Sequence, residues 1–311
     1  MTQSLALSIV VAITDAHGVA EGDALPGWFA ALVREAKTVD AELLLAGDAG
    51  SGAAQLVAAA QKDGVAPHVL SAPEASLTPE LWGLGLHAAR GEVVAFTINQ
   101  CTVQDGWARA LLAGIAHGDA GVGGPLLLAT DTSRTGRAIY FLRYSAFLGQ
   151  ANDARREVRD IAGDNAAYRR DVLMRYGPYT HGFWEIEAHH RLRADGDTLA
   201  LVPGMGAAFG GSPSLLPFMR QRFAHGRHFG GWRVRVGGRR PWQIALASPL
   251  VPFVFLLRTA RRVAGDRGNL FRLAGCAGPF LVLAAAWAAG EAAGALSAGS
   301  APHRGTVLSS P

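Results

Sequence analysis

The sequence predicts an α/β fold built on a mainly parallel sheet, and three observations carry that prediction. Continuous apolar runs alternate with helically spaced segments from Leu5 to Leu128. The runs are apolar at every position and not at alternate ones, as in strands covered by helices on both faces. Each run ends in a cluster of Gly, Asp, Asn, Ser or Thr.

The first run, residues 5–13 (LALSIVVAI), ends at Thr14-Asp15. It is short and β-branched, and no basic stretch precedes it, so it reads as a buried strand and not as a targeting signal. The domain is then expected to stay on the side of the membrane where it is made. Residues 26–38 have helical spacing, and 41–46 form a second strand running into Gly47-Asp48-Ala49-Gly50-Ser51-Gly52. A helix over 53–62, a strand over 68–70, a helix over 79–90 and a strand over 92–97 complete the pattern. Ligands of such sheets sit at the carboxyl ends of strands, where Asp15, Asp48 and Asn99 fall. Each of these residue types serves a turn equally well.

A helix is expected over 107–117, a strand over 120–128, and an irregular, Arg-bearing, acceptor-facing insertion over 129–160. The stretch Gly163–Arg193 packs a Gly-Asp-Asn turn and a helix start before Trp184-Glu185-Ile186-Glu187 and His189-His190-Arg191. A helix from about Phe183 puts Glu185 and His189 on one face, with Glu187 and Arg191 on the next. Such a cluster suits a cleft or an ion-paired surface helix. A strand over 198–202 follows, and then a helix over 215–235 bearing Gln221, Arg222, His225, Arg227 and His228.

The last third changes character. Residues 241–257 and 273–290 carry no charge, and each is at the length needed to cross a bilayer. Pro249 and Pro252 should kink the first. Arg258, Arg261, Arg262, Arg267 and Arg272 lie between them, opposed only by Asp266. Two spanning helices would put this loop opposite the domain, against the positive-inside tendency. The first segment is therefore expected to lie in or re-enter the membrane plane, with the arginines on anionic headgroups, and the second either to span or to form the other half of a shallow hairpin; two buried helices of a soluble core are the alternative. The organisation expected is a domain over 1–235, a membrane-associated helical segment over 236–296 and a disordered tail over 297–311.

Composition agrees. Half of the 311 residues are hydrophobic and 17% are charged, with a net charge of +4 and a pI near 9.4. Lysine occurs only at Lys37 and Lys62, and much of the arginine excess follows Arg220. A local basic segment beside apolar runs points to anionic lipid and not to nucleic acid. Cys101 and Cys276 make neither a disulfide framework nor a metal spacing.

The order of LSIVVAI, ELLLAGDAGS, GEVVAFTINQCTVQDGW, VGGP, GDNAAYRR and WEIEAHHRLRADGDTLALVP resembles an inverting family 2 glycosyltransferase of the GT-A nucleotide-sugar fold, over residues 5–235. The run Trp287 to Glu291 is also similar to bacterial members that act on lipid-linked acceptors. The resemblance implies transfer of a sugar from a nucleotide diphosphate donor to a lipid-linked or polysaccharide acceptor of the cell envelope, on the cytoplasmic side of the inner membrane. It implies Glu185 as the base by its match to the leading acid of a Glu-Asp pair, with Ile186 in place of the second acid and Glu187 as the other candidate. It places Asp48, Asn99, Asn165 and Arg169 on the donor, and His225 with Arg227 on the diphosphate. The family's Asp-x-Asp, which holds Mg²⁺ or Mn²⁺, is replaced here by Thr97-Ile98-Asn99-Gln100. One Asn and one Gln hold a hard ion poorly, so the expectation is transfer without a protein-held metal, with Arg222, Arg227, His225 or His228 on the diphosphate, or else a different phosphate donor such as a polyprenyl-phosphate sugar. The competing reading is a catalytically degenerate protein of the same fold that binds or scaffolds a partner. A nucleotidyltransferase would need a Gly-rich, Lys-bearing loop near the first strand, and none follows Ile13.

Overall fold

The computed structural model describes residues 5–14, 25–148 and 154–300. In chain order the elements are β1 (Leu7–Ile13), α1 (Gly27–Thr38), β2 (Glu42–Gly47), α2 (Ala53–Lys62), β3 (His68–Ser71), α3 (Thr78–Ala88) and β4 (Val93–Ile98). Then come β5 (Cys101–Val103), α4 (Trp107–Ile115), β6 (Gly121–Gly123), β7 (Leu126–Leu128), α5 (Arg134–Tyr144), β8 (Arg156–Val158), β9 (Asn165–Arg169), α6 (Arg170–Met174) and α7 (Glu185–Ala194). The chain continues through β10 (Leu199–Leu201), β11 (Ala207–Phe209), α8 (Leu215–Arg235), α9 (Pro241–Ala247), α10 (Val251–Arg262), α11 (Arg267–Gly275) and α12 (Ala277–Ser300).

The chain divides into two units: Met1–Thr132 with Phe147–Gly211, and Ser133–Ala146 with Ser212–Pro311. The first holds a mixed sheet in the order β3-β2-β1-β4-β9-β6-β10-β8, with β5-β11-β7 as a second small sheet. Six of its eight strands run one way, and β9 and β8 oppose them. The mainly parallel α/β sheet, flanked by helices, is thus present as expected. β1, β2 and β4 are buried at every position, which is why their sequences are unbroken apolar runs.

Local signals place the helices. Pro26 caps α1, and in α3 the Glu80 carboxylate reaches back to the Leu77 amide (2.7 Å). α4 starts where the buried Glu35 of α1 accepts from the Gly106 and Ala108 amides (2.8 and 2.9 Å), satisfying donors that a helix start leaves open.

Several expectations need correction. The strand expected over 120–128 is two strands in different sheets, broken at Gly124-Pro125, where proline has no N–H for the ladder. The segment 129–160 is not irregular throughout. It contains β8 and also α5, which Ser133 starts by accepting from the Gly136 amide (3.1 Å). The Gly-Asp-Asn turn opens β9, a buried strand between β4 and β6, and not directly a helix. The helix over 215–235 lies in the second of the two units. Of the tail expected over 297–311, residues 297–300 are the last turn of α12. Residues 301–311 and Asp15 lie outside the described residues.

The second unit is helical: α5 and α8 to α12. Pro241–Arg262 and Ala277–Gly299 are long and apolar enough to cross a membrane, by length and composition. A turn of 3-10 helix at Ser248–Leu250 divides the first, at the expected proline positions. α8 and α12 run parallel and very close. A Cβ on Gly226 would stand 2.0 Å from the Trp287 carbonyl oxygen, and one on Gly230 2.0 Å from that of Glu291. In return, Gly290 faces the Phe223 carbonyl at 2.0 Å and Gly294 that of Arg227 at 1.9 Å. These are two Gly-x-x-x-Gly steps in register, the pattern that lets helix backbones touch. Arg233 and the buried Glu291 form an ion pair across the same seam.

Candidate functional site

The sheet order sets the place. From β1 the chain moves outward to β2 and β3 and then returns to the other side of β1 as β4. Ligands of open α/β sheets bind where the order reverses, outside the carboxyl ends. Here that crevice lies between β1 and β4. Thr14 and Asn99 stand on its two lips, and the Thr14 amide donates to Asn99 Oδ1 (3.5 Å). Gln100 Nε2 also donates to Thr14 Oγ1 (3.3 Å). Asp48 follows β2, whose last residue pairs with Ile13 of β1. Two strand spacings separate it from Asn99, about 10 Å. Its Oδ1 accepts from the Gly50 amide (3.0 Å), so one carboxylate oxygen shapes the turn that sets the direction of the other.

Glu185 reaches the same edge through a short chain of contacts. β9 runs against β4 with Asn165 opposite Thr97, so the turn at 163–165 sits at the carboxyl end of β4. A Cβ on Gly163 would lie 2.6 Å from the Trp82 ring and 3.2 Å from Glu185 Oε2. Only glycine lets the ring and the carboxylate close over this turn. Trp82 in turn donates its indole N–H to the Thr97 carbonyl (3.1 Å). Glu185 is the first residue of α7, where the helix dipole favours an anion. Ile186 is 46% exposed while Ala188, His189 and Leu192 are buried. An acid at 186 would therefore point outward, and Glu185 is the first-turn acid on the inner face. Glu187, two residues on, lies on another side of the helix.

The other expected residues have surroundings of their own. Asn165 is buried with its amide fully engaged: Oδ1 accepts from Trp107 Nε1 (2.8 Å), and Nδ2 donates to the carbonyls of Met205 (2.8 Å) and Pro125 (3.3 Å). These bonds brace the strand ends. Arg169 is opposite Val93 at the amino end of β4, across the sheet from Asn99, and pairs with Asp171 (2.8 Å). The antiparallel run of β9 carries it away from the crevice. His225 and Arg227 are on α8 in the second unit, and two residues apart on a helix they face different ways. The His225 Nε2 is shut from solvent although part of the residue is open, whereas Arg227 is exposed. Burial pushes His225 well below the usual imidazole range, and the nearby charges of Arg222 and Arg143 push it further the same way.

The site also contains residues that the sequence did not single out. Trp82 is one, and Asp164 is another, a buried acid in the turn beneath Glu185. His189, expected beside Glu185, is a core brace. Its Nδ1–H donates to Asp160 Oδ1 (3.2 Å), a carboxylate that can only accept, which leaves Nε2 to accept from the Tyr168 hydroxyl (2.8 Å). Burial pushes His189 below its usual value, against the pull of Asp160. The Tyr168 phenol is driven well above its own, first by burial and then by the Glu185 charge.

These depressed imidazoles give a signed pH dependence. Both His189 and His225 resist protonation when folded, so the unfolded chain binds more protons as pH falls through the ordinary histidine value near 6.5. The stability they contribute is complete above about 6.5 and is lost on acidification below it. Thermal unfolding followed from pH 7.5 to 5.5 should show a falling midpoint, and His189→Gln should flatten the slope.

The donors at this strand end hold a hard Mg²⁺ or Mn²⁺ poorly. The strand end offers the amides of Asn99 and Gln100, and among the described residues no three His, Cys, Asp or Glu side chains converge.

No protein-family model matches the chain, and no curated protein matches it. Among solved structures, GalNAc-T7 with UDP, GalNAc and Mn²⁺ is similar at 14% identity and a TM-score of 0.46, over 72% of this chain. The chain spans only 48% of that structure's length. S. aureus TarS 1–349 in complex with UDP is similar at 12% identity and a TM-score of 0.48, over 89% of this chain and 90% of that one. TarS 1–349 without UDP gives 11%, 0.49 and the same coverages.

Proposed function

We propose that this chain is an inverting, family 2-like glycosyltransferase that moves a sugar from a nucleotide diphosphate to a hydroxyl of a lipid-linked or cell-envelope acceptor, at the cytoplasmic face of the inner membrane. The observation that carries the reading is a carboxylate, Glu185, held by Trp82 and Gly163 over the carboxyl end of β4 at the point where strand order reverses. Glu185 takes the proton from the acceptor hydroxyl as its oxygen attacks the anomeric carbon. The bond from that carbon to the diphosphate oxygen breaks, and the diphosphate leaves with the electron pair. Asp48 and Asn99 bind the donor on either side of β1. The residues at the strand end favour transfer without a protein-held metal. The two apolar helices support membrane association.

The second reading is a protein that binds but does not turn over, and the acid-free Thr97-Ile98-Asn99-Gln100 favours it. Titration with a panel of nucleotide diphosphate sugars, with and without EDTA, separates the two while donor hydrolysis is followed. Turnover that persists in EDTA is expected. Binding without turnover supports the second reading, and binding of no donor overturns both.

A further inference from the structure

The segment Pro241–Arg262 has two distinct faces. Ile244, Ser248, Pro252 and Thr259 are buried on one. On the other, Trp242, Leu246, Leu250, Phe253 and Leu257 are all more than half exposed, Leu246 at 73%. At the helical repeat these five side chains fall within about 80° of one another. Phe271 of α11 is 79% exposed. Exposed arginines frame this surface: Arg239 and Arg240 before it, Arg258 and Arg261 after it, Arg267 and Arg272 beside Phe271. From Ser212 to Ser300 the chain has twelve arginines and two acids. Of those acids, Glu291 is held by Arg233 and Asp266 caps α11 through the Asn269 amide (3.0 Å). A bare apolar stripe with guanidinium groups at both ends matches hydrocarbon below and anionic headgroups at its own level.

α12 carries the complementary argument. Its glycine contacts set Phe223–Gly230 of α8 beside Trp287–Ala295, the middle of α12. That part of α8 holds His225, Arg227 and His228, with Arg222 and Arg233 just outside it. A membrane-crossing α12 would draw these groups to the depth where arginine is least tolerated.

We infer that the second unit docks onto one leaflet of an anionic bilayer through the α9–α10 stripe and Phe271, and that neither apolar helix crosses. The inference rests on the membrane association proposed above and not on the transfer chemistry. Its test uses the full chain with sealed vesicles of phosphatidylcholine, alone or with phosphatidylglycerol, by co-sedimentation, alkaline carbonate wash and external protease. Binding should require phosphatidylglycerol, weaken with salt and reverse in carbonate, with no protected fragment. Leu246→Glu with Leu257→Glu should weaken binding about tenfold or more, since two leucines lose their apolar contact. Arg239→Glu with Arg240→Glu, in an exposed turn, gives a second reading should the first variant misfold, and should also weaken binding. A carbonate-resistant protein with a protected fragment over α12 overturns the seating and leaves membrane association standing. Binding that neither variant changes overturns the stripe, and no binding to either vesicle overturns both readings.

Discussion

Glu185→Gln should lower transfer by about 10²–10⁴-fold, the range for loss of a positioned general base, while donor affinity stays within about twofold because the donor contacts do not include it. The substitution keeps the size of the side chain, so the packing of Gly163 against Trp82 and Glu185 is preserved. What is lost is the ability to accept a proton from the acceptor. Turnover and donor affinity should therefore be measured separately, the second by calorimetry with the nucleotide diphosphate. Glu187→Gln is the comparison, since Glu187 is on a different side of α7; its turnover should fall less than about tenfold. Undiminished turnover in Glu185→Gln with a loss in Glu187→Gln would move the role to Glu187. A loss in both with donor binding gone would mean that α7 itself had shifted.

The second large effect is expected in the helix pair. A glycine-to-alanine change inside a helix ordinarily stabilises by about 1 kcal/mol. At Gly230 and Gly294 the new methyl would lie 2.0 and 1.9 Å from a carbonyl oxygen of the facing backbone, and backbone cannot swing aside as a side chain can. The helices must part along their length, so Gly230→Ala and Gly294→Ala should each destabilise by about 1–3 kcal/mol, the range for overpacking. The double variant should cost less than the sum, because one separation relieves both clashes. Urea unfolding of each variant measures this. Gly265→Ala, where nothing lies within 4 Å, is the control and should be neutral. A stabilised Gly230→Ala would show that the seam is looser than described.

Much of the first unit was legible because β1, β2 and β4 are buried on both faces, and an unbroken apolar run is the direct trace of that burial. Strands of three residues, such as β5, β7 and β11, are too short to leave a period. α5 was hidden because its first turn, Arg134-Thr135-Gly136-Arg137, has no apolar side chain, and its buried apolar side chains begin only at Ala138. Asp48 and Asn99 were legible by rule as polar residues at the ends of β2 and β4. The surroundings of Arg169 and Asn165 were not legible for two reasons. Strand direction cannot be read from a five-residue segment, and the partner of Asn165 is Trp107, 58 residues away. The α8–α12 seam did leave a trace, the two Gly-x-x-x-Gly steps, which a search for that spacing would have found.

The parallel pairing of α8 with α12 also bears on how the protein comes into being. Arg233 and its partner Glu291 are 58 residues apart, and at a synthesis rate of about 5–20 residues per second α8 waits roughly 3–12 s for the surface that matches it. Every strand of the first unit has left the ribosome by Phe209, before α8 begins. The sheet can close while the helical unit is still open. In that interval the glycine face of α8 and the apolar helices behind it are bare, at the moment when a nascent chain is most exposed to aggregation.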